Sequence, residues 1–442
     1  MLSQEQVKEL RRDFPSLRQK HPVNRRRPIY FDNSCVTLTP RPVAEAVWDY
    51  SVSHPGCGGH RSGHWFAEAT QAKVASARRA LGKLLGVPPV KVSQNDPAYP
   101  VIFTRNTTEG LNLVANSLGL LEGETVVLTN KEHNSNLCPW QEFERRGGRL
   151  QFVPVLEDNT FDLDRFAAVV EQDHSVKLVA LHHSSNLDGV EVPLADAIAI
   201  VRRAEREQGR NIFVCVDGAQ GAPHSRLNLG YPDKPEYLDV DFYAGSLHKM
   251  LGPTGVGFLY GRPECLDSLK PFIVGGSTIF ETSVHRRPTY AEWPDRFEAG
   301  LQNYAGMIGA GRAAAYLQPL LGEIKPYECH LNGALTQMLE PLQRKGVLRI
   351  LGPAAPAKRG GVITVVLPWG ANDPPMGCFS QQALDHNIMY RSGYFCVDSW
   401  FESNSHRLPN RFSTLRFSLY FYNTLQEVER VGHIMTRAFG SA

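Results

Sequence analysis

The sequence predicts an α/β protein: one large, mostly parallel sheet with helices on both faces, followed by a smaller α+β domain. Two observations carry this. From residue 101 onward, apolar runs rich in β-branched residues (VIFTR, TVVLT, LQFVPV, KLVALHH and NIFVCVD) alternate with helical patterns. Strands of that kind, joined by helices, belong to a parallel sheet buried on both sides. After about Gly300 the order changes, and longer helical stretches precede strands near 347–350, 362–367 and 415–422. The expected division is an N-terminal helix and linker over 1–30, a large domain over 31–305 and a small domain over 306–442.

Taken in order, Ser3 and Gln6 form a capping-box pattern that opens a short amphipathic helix. Arg25, Arg26 and Arg27 read as a solvated linker rather than a nucleic-acid patch. A strand near 29–31 enters Asp32-Asn33-Ser34, and a helical run follows Pro42 to about residue 52. The stretch HPGCGGHRSGH, 54–64, is rich in Gly and His but lacks metal-ligand spacing, so it reads as a loop. Residues 67–85 form a helix by their apolar period. The strand–helix alternation then begins, with helices expected at 107–118, near 140–146, at 164–171 and at 194–208. In the last third, helices are expected at 307–316, 327–345 and 380–386. A second capping box, Thr424 and Glu427, starts the final helix.

Composition bounds the function. The chain has 442 residues, 42% hydrophobic and 21% charged, with a net charge of +2. That supports a sizeable core and implies neither nucleic acid nor an acidic partner. No apolar run is long enough to span a bilayer, and the first thirty residues are too polar for a signal peptide. Eight cysteines are scattered without a CxxC pair, the usage of a reducing cytoplasm rather than a disulfide framework or a zinc site.

The chemistry is expected around DFYAGSLHKMLGPTGVGFLYG, 241–261. There a strand runs into a turn holding Ser246, His248 and Lys249, and a glycine-rich loop returns into a second strand. A partly desolvated lysine at such a turn is suited to Schiff-base chemistry. NIFVCVD ends an apolar strand in Asp217, where a carboxylate needs either a structural partner or a cofactor. Asp217 and Lys249 stand 32 residues apart, about one βα unit of roughly 30 residues, so adjacent strand ends can present both. An acid and an imine-forming lysine together meet the needs of pyridoxal phosphate. Thr107 and Thr108 open a helix after VIFTR, a seat for a phosphate. Glu132-His133-Asn134 follows TVVLT, and His182 to Asn186 follows KLVAL. In TLRFSLYFYN, Arg416 lies on the face opposite the apolar set, with a guanidinium fork suited to a carboxylate.

These motifs resemble the class V, fold-type I pyridoxal-phosphate enzymes, most closely the cysteine desulfurase and selenocysteine lyase branch. TTEGLNLVAN, EHNSN-PWQ, SNLDG, VDGAQ, SLHKMLGPTGVG, FEAG and a late RxGxxC occur in the family's order. The resemblance implies Lys249 as the Schiff-base lysine, Asp217 as partner of the pyridine nitrogen, His133 stacked on the ring and Gln220 beside a cofactor oxygen. It implies that Thr107, Thr108, Ser246 and His248 seat the phosphate, with Asn186 also at the cofactor. Arg416 and Arg391 would bind the substrate. Cys396, closing Arg391-Ser392-Gly393-Tyr394-Phe395-Cys396, would take sulfur from L-cysteine as a persulfide and leave alanine.

Two departures stand out. Tyr394 and Phe395 occupy places where the family commonly has histidines. Leu301 replaces a threonine that contacts the phosphate of the neighbouring subunit, with Thr278 as a substitute donor. A homodimer and a sulfur-acceptor protein are the implied partners. The alternatives are a carbon–sulfur lyase giving pyruvate and ammonia, and an epimerase or transaminase on the same fold. Gly309-Ala310-Gly311 mimics part of a dinucleotide fingerprint, but its helical setting points to small-residue packing.

Overall fold

In the computed structural model, residues 1–58, 62–92 and 98–440 are described. Helix α1 (Gln4–Leu10) carries the expected capping box, and strand β1 (Ile29–Tyr30) leads into α2 (Arg41–Ser53) and α3 (Trp65–Leu84). His64 caps α3, and three residues of the Gly/His-rich stretch, 59–61, lie outside the described residues. The alternating region then runs β2 (Val101–Thr104), α4 (Thr107–Ser117), β3 (Thr125–Thr129), α5 (Asn134–Glu144), β4 (Arg149–Val153), α6 (Leu163–Gln172), β5 (Val176–His182), α7 (Leu194–Gln208) and β6 (Phe213–Asp217). Strands β7 (Phe242–Ser246) and β8 (Gly257–Gly261) flank the Lys249 turn.

These strands form one seven-stranded sheet in the order β2-β8-β7-β6-β5-β3-β4. Every neighbouring pair from β7 to β4 is parallel, and β8 alone runs against its neighbours. Alternate residues of each strand enter two different cores. Val101, Phe103, Val127, Val179, Leu181, Val214 and Val216 pack on one side. Ile102, Val126, Leu128, Leu178, Ala180 and Cys215 pack on the other. Period-two side chains with both faces covered explain why these strands read as unbroken apolar runs.

Helix α8 (Pro263–Ser268) and a hairpin of β9 (Ile279–Ser283) and β10 (Arg286–Tyr290) follow. Then come α9 (Tyr304–Leu317), α10 (Leu321–Arg344), β11 (Arg349–Ile350), β12 (Val362–Leu367), α11 (Pro374–Asp385), β13 (Ile388–Met389), β14 (Arg391–Ser392), α12 (Asp398–Ser403), β15 (Ser413–Ser418) and α13 (Leu425–Phe439). The second sheet has the order β11-β12-β15-β14. The small-residue reading of α9 holds: a Cβ on Gly311 would lie 2.4 Å from Ala77 Cα, so α9 and α3 approach at backbone distance.

Helices α5, α10 and α11 start earlier than their sequence patterns suggested. All three carry proline ahead of the expected start: Pro139 and Pro326 lie inside α5 and α10, and Pro374 opens α11. The strand expected to reach residue 422 ends at Ser418. Tyr420 and Tyr422 are fully buried against other elements instead.

Candidate active site

Five carboxyl-terminal strand ends converge on one crevice, as expected for an open parallel sheet. After β2 come Asn106, Thr107 and Thr108; after β3, Lys131 and His133. Beyond β5 lie Ser184 to Asn186, beyond β6 Asp217 and Gln220, and beyond β7 Ser246, His248 and Lys249. With Arg391, Phe395, Cys396 and Arg416 these line one cavity of about 270 Å³. Thus Lys249, Cys396, His133, Thr107, Thr108, Asn186, Asp217, Gln220, Ser246, His248, Arg416 and Arg391, scattered over 310 positions of sequence, are brought together.

The anion seat is built by backbone approach. A Cβ on Gly257 would lie 2.5 Å from Asn106 Cα, so β8 can pass the start of α4 only with glycine there. Asn106 caps α4 by accepting from the Glu109 N–H at 3.0 Å. The Ser246 hydroxyl accepts from the Thr107 N–H at 2.8 Å and pairs with the Thr107 hydroxyl at 2.6 Å. Thr108 pairs with Ser135 at 2.7 Å. A helix start lined by hydroxyls favours a phosphate.

Deeper in, the electrostatics diverge. Burial pushes Asp217 up, although the Ala219 N–H and Lys249 pull it back. Burial pushes Lys249 down, with Asp217 opposing. Both shifts come from a desolvated site that favours neutral groups until a ligand enters. Burial, then the charges of Lys249 and Arg416, take His133 down to about 4. Its ring is therefore neutral at pH 7, which suits stacking on an aromatic ring. Behind it, Glu132 binds His182 at 2.8 Å. Burial pushes Glu132 up, but His182, Thr129 and Asn136 hold it below its ordinary value.

Arg416 is not on a solvent face: both faces of β15 are covered, and the residue is 3% exposed. It donates to the Asn186 carbonyl at 3.0 Å and to Asp32 at 3.3 Å, over the Phe395 ring at 4.7 Å. Among the described residues its Nε is buried without a partner. Cys396 is exposed. Phe395 and Cys396 have φ of 56° and 58°, left-handed values that L residues adopt at a cost of about 1–2 kcal/mol each. The loop is held there because the Phe395 carbonyl accepts from Asn186 and the Cys396 carbonyl from Asn134, both at 2.8 Å.

Sequence reasoning left Asp32, Cys35, Lys131, Glu132 and His182 without roles. Asp32 and Glu132 each carried a signal, an acid within three residues of a strand end. The Thr278 hydroxyl, expected as a substitute phosphate donor, closes its own turn by donating to the Gly275 carbonyl at 2.9 Å.

A family model described as aminotransferase class-V matches residues 29–431. The chain belongs to the class-V aminotransferase family. A protein named cysteine desulfurase from Serratia proteamaculans is 35% identical over 432 residues, covering 96% of each chain. One named probable cysteine desulfurase from Streptomyces coelicolor is 34% identical over 95% of this chain and 94% of its own. The apo cysteine desulfurase from Thermococcus onnurineus superposes with a TM-score of 0.84 at 30% identity, covering 100% of this chain and 99% of its own. A cysteine desulfurase from Escherichia coli gives 0.79 at 26% identity over 98% of both chains. Class-V aminotransferases use pyridoxal phosphate, and the cavity fits that group. It offers a buried acid, a desolvated lysine, a neutral imidazole and a hydroxyl-lined helix start.

Proposed function

We propose that the protein is a pyridoxal-phosphate-dependent cysteine desulfurase, converting L-cysteine to L-alanine with a persulfide on Cys396. One observation carries the reading: a thiol, Cys396, opens into the same cavity as Lys249 and Asp217. The full-length similarity to proteins named cysteine desulfurase supports it.

Thr107, Thr108, Ser246 and His248 would hold the cofactor phosphate, with Asp217 at the pyridine nitrogen, His133 on the ring and Gln220 and Asn186 at its edge. When bound, the cofactor supplies a carbonyl for the substrate amine and a ring that accepts electrons. Arg416 and Arg391 take the substrate carboxylate. The Lys249 amine, lowered by burial, accepts the α-proton and returns a proton later. The Cys396 thiolate attacks the substrate sulfur. An S–S bond forms as the C–S bond breaks, and the electron pair passes to the carbon fragment that leaves as alanine.

The reading carries three further proposals. The cofactor-binding domain is 31–305 and the small domain 306–442, supported by the seven-stranded sheet lying wholly inside the first and the four-stranded sheet inside the second. The active form is a homodimer that uses 275–280 and 297–303, handing sulfur to an acceptor protein. The compartment is the cytoplasm, supported by eight unpaired cysteines; among the described residues no helix is long and apolar enough to cross a membrane. Incubating the holoenzyme with L-cysteine and identifying the products tests the main reading. Alanine in step with sulfide under reducing conditions is expected, and pyruvate with ammonia would overturn it in favour of a lyase.

A further inference from the structure

We propose that Asp32 is a specificity-determining residue. It trims the carboxylate site to a single net positive charge, so that the cavity takes amino acids with one carboxylate and rejects those with two. The proposal rests on the reading of Arg416 and Arg391 as the carboxylate-binding pair.

One carboxylate is shared by two guanidinium groups. Arg416 Nη2 lies 3.3 Å from Asp32 Oδ1, and Arg391 Nη1 lies 3.7 Å from Oδ2. The backbone fixes this arrangement. β1 pairs in parallel with β13, and the Phe31 N–H donates to the Met389 carbonyl at 2.9 Å. The next residue on one strand is therefore Asp32, and Arg391 follows closely on the other. Asp32 also bridges Ser418, two residues beyond Arg416 on β15.

The donors that remain are few. Arg416 Nη1 is taken by the Asn186 carbonyl, and its Nε is buried and unpaired among the described residues. That leaves one donor edge for one incoming carboxylate. Arg391, whose side chain is 52% exposed, is the cation a second substrate carboxylate would reach, but Asp32 already neutralises it. Lys131, another cation on the cavity wall, is held by Asp188 and by the Asn159 carbonyl at 2.7 Å. Lys249 is committed to the cofactor. Two positive charges, less Asp32, balance one substrate carboxylate. A second would enter a desolvated site beside Asp32 with no partner, a repulsive form of specificity.

The test uses the holoenzyme titrated with L-alanine and L-aspartate, followed through the absorbance of the bound cofactor. Asp32→Asn removes the charge while keeping the side chain's shape; one arginine keeps an oxygen acceptor and the other faces the amide NH2. The variant is expected to tighten L-aspartate relative to L-alanine by about tenfold or more. An unchanged ratio of the two affinities would overturn the proposal, and a purely structural role would move both ligands together. Arg391→Gln provides a second variant, because it leaves one guanidinium balanced by one carboxylate. L-alanine binding should weaken about tenfold, and undiminished binding would overturn the proposal. Alanine production from cysteine tests the desulfurase reading separately. A wild type that makes none overturns that reading, while the affinity ratio still decides the role of Asp32.

Discussion

The backbone N–H of Asn134 donates to the carbonyl of Cys396 at 2.8 Å, fastening the thiol-bearing loop to the first residue of α5, next to His133. The fastening continues beyond the thiol. Asn134 Nδ2 reaches Asp398 at 2.8 Å, the Ser399 hydroxyl donates to the Asn130 carbonyl at 3.1 Å, and Trp400 Nε1 donates to Asn159 Oδ1 at 3.1 Å. Asn159 in turn binds Asp188, the partner of Lys131. Trp400→Phe keeps most of the buried volume and removes one donor. It should cost about 1–3 kcal/mol in urea unfolding, because Asn159 Oδ1 loses its partner inside the protein. It should also slow alanine formation while cofactor binding is retained. Equal loss of both would show that α12 does not specifically place the thiol.

Lys249 is the group asked to carry a proton. Lys249→Ala should lower cysteine turnover by about 10²–10⁴-fold or more, the range for removing a positioned acid–base group. Borohydride should no longer fix the cofactor to the chain. Borohydride labelling that persists at another lysine would move the assignment away from the turn after β7.

The large sheet and the cavity wall were legible because their residues obey local rules. Apolar strands end in polar residues, and a carboxyl-end crevice gathers them. Asp217 and Lys249 could be paired from spacing alone. Asp32 could not, since its partners Arg391 and Arg416 lie more than 350 positions away and meet it through the pairing of β1 with β13 and the bridge from Asp32 to Ser418 on β15. The interior character of Arg416 was also hidden. Alternation in TLRFSLYFYN separates two faces, but it does not say that the second face is covered by the large sheet's loops. The β9–β10 hairpin was missed because its strands bury almost nothing in this chain, leaving no hydrophobic period to read.

Three histidines, His133, His183 and His248, are each held near 4, burial being the main cause. The unfolded values lie near 6.5. Between about pH 6.5 and 4 the unfolded chain binds protons that the folded chain refuses, so stability is present above that window and falls as pH drops through it. A fully buried histidine such as His183 withdraws on the order of 1–3 kcal/mol over this range. Urea midpoints of the apoprotein should decline from pH 7 to pH 4.5, and His183→Gln should flatten part of the decline. A midpoint that rises on acidification would contradict the assignment.

The exposed hairpin bears Phe280 at 81% and Val284 at 94% exposure, and Leu301 nearby is 77% exposed. A two-stranded hairpin is marginally stable without cover, and the homodimer reading supplies that cover from a second copy. Val284→Asp with Phe280→Asp should shift sedimentation towards monomer and lower activity with it. Leu301→Thr should be tolerated and should tighten phosphate binding. A wild-type protein that sediments as a fully active monomer would defeat the dimer.

Cys396 decides between the two reactions that this cavity can support. On the proposed roles both begin alike, with the substrate carboxylate at Arg416 and the α-proton moving to Lys249. They part at the sulfur. A desulfurase needs a protein thiolate to attack it, whereas a lyase expels the sulfur group and needs none. The loop keeps Phe395 and Cys396 in left-handed backbone, clamped by Asn186 and Asn134. A strained pair held so firmly fits a thiol that must meet one substrate atom. The phosphate seat is built apart from the Cys396 thiol, since Ser246 and Thr107 bond to each other and Thr108 to Ser135. Cys396→Ala should therefore retain the yellow cofactor and bind cysteine, yet make no alanine and carry no persulfide. If the variant instead turns over cysteine at near the wild-type rate and releases pyruvate, the sulfur leaves by elimination and Cys396 is a bystander.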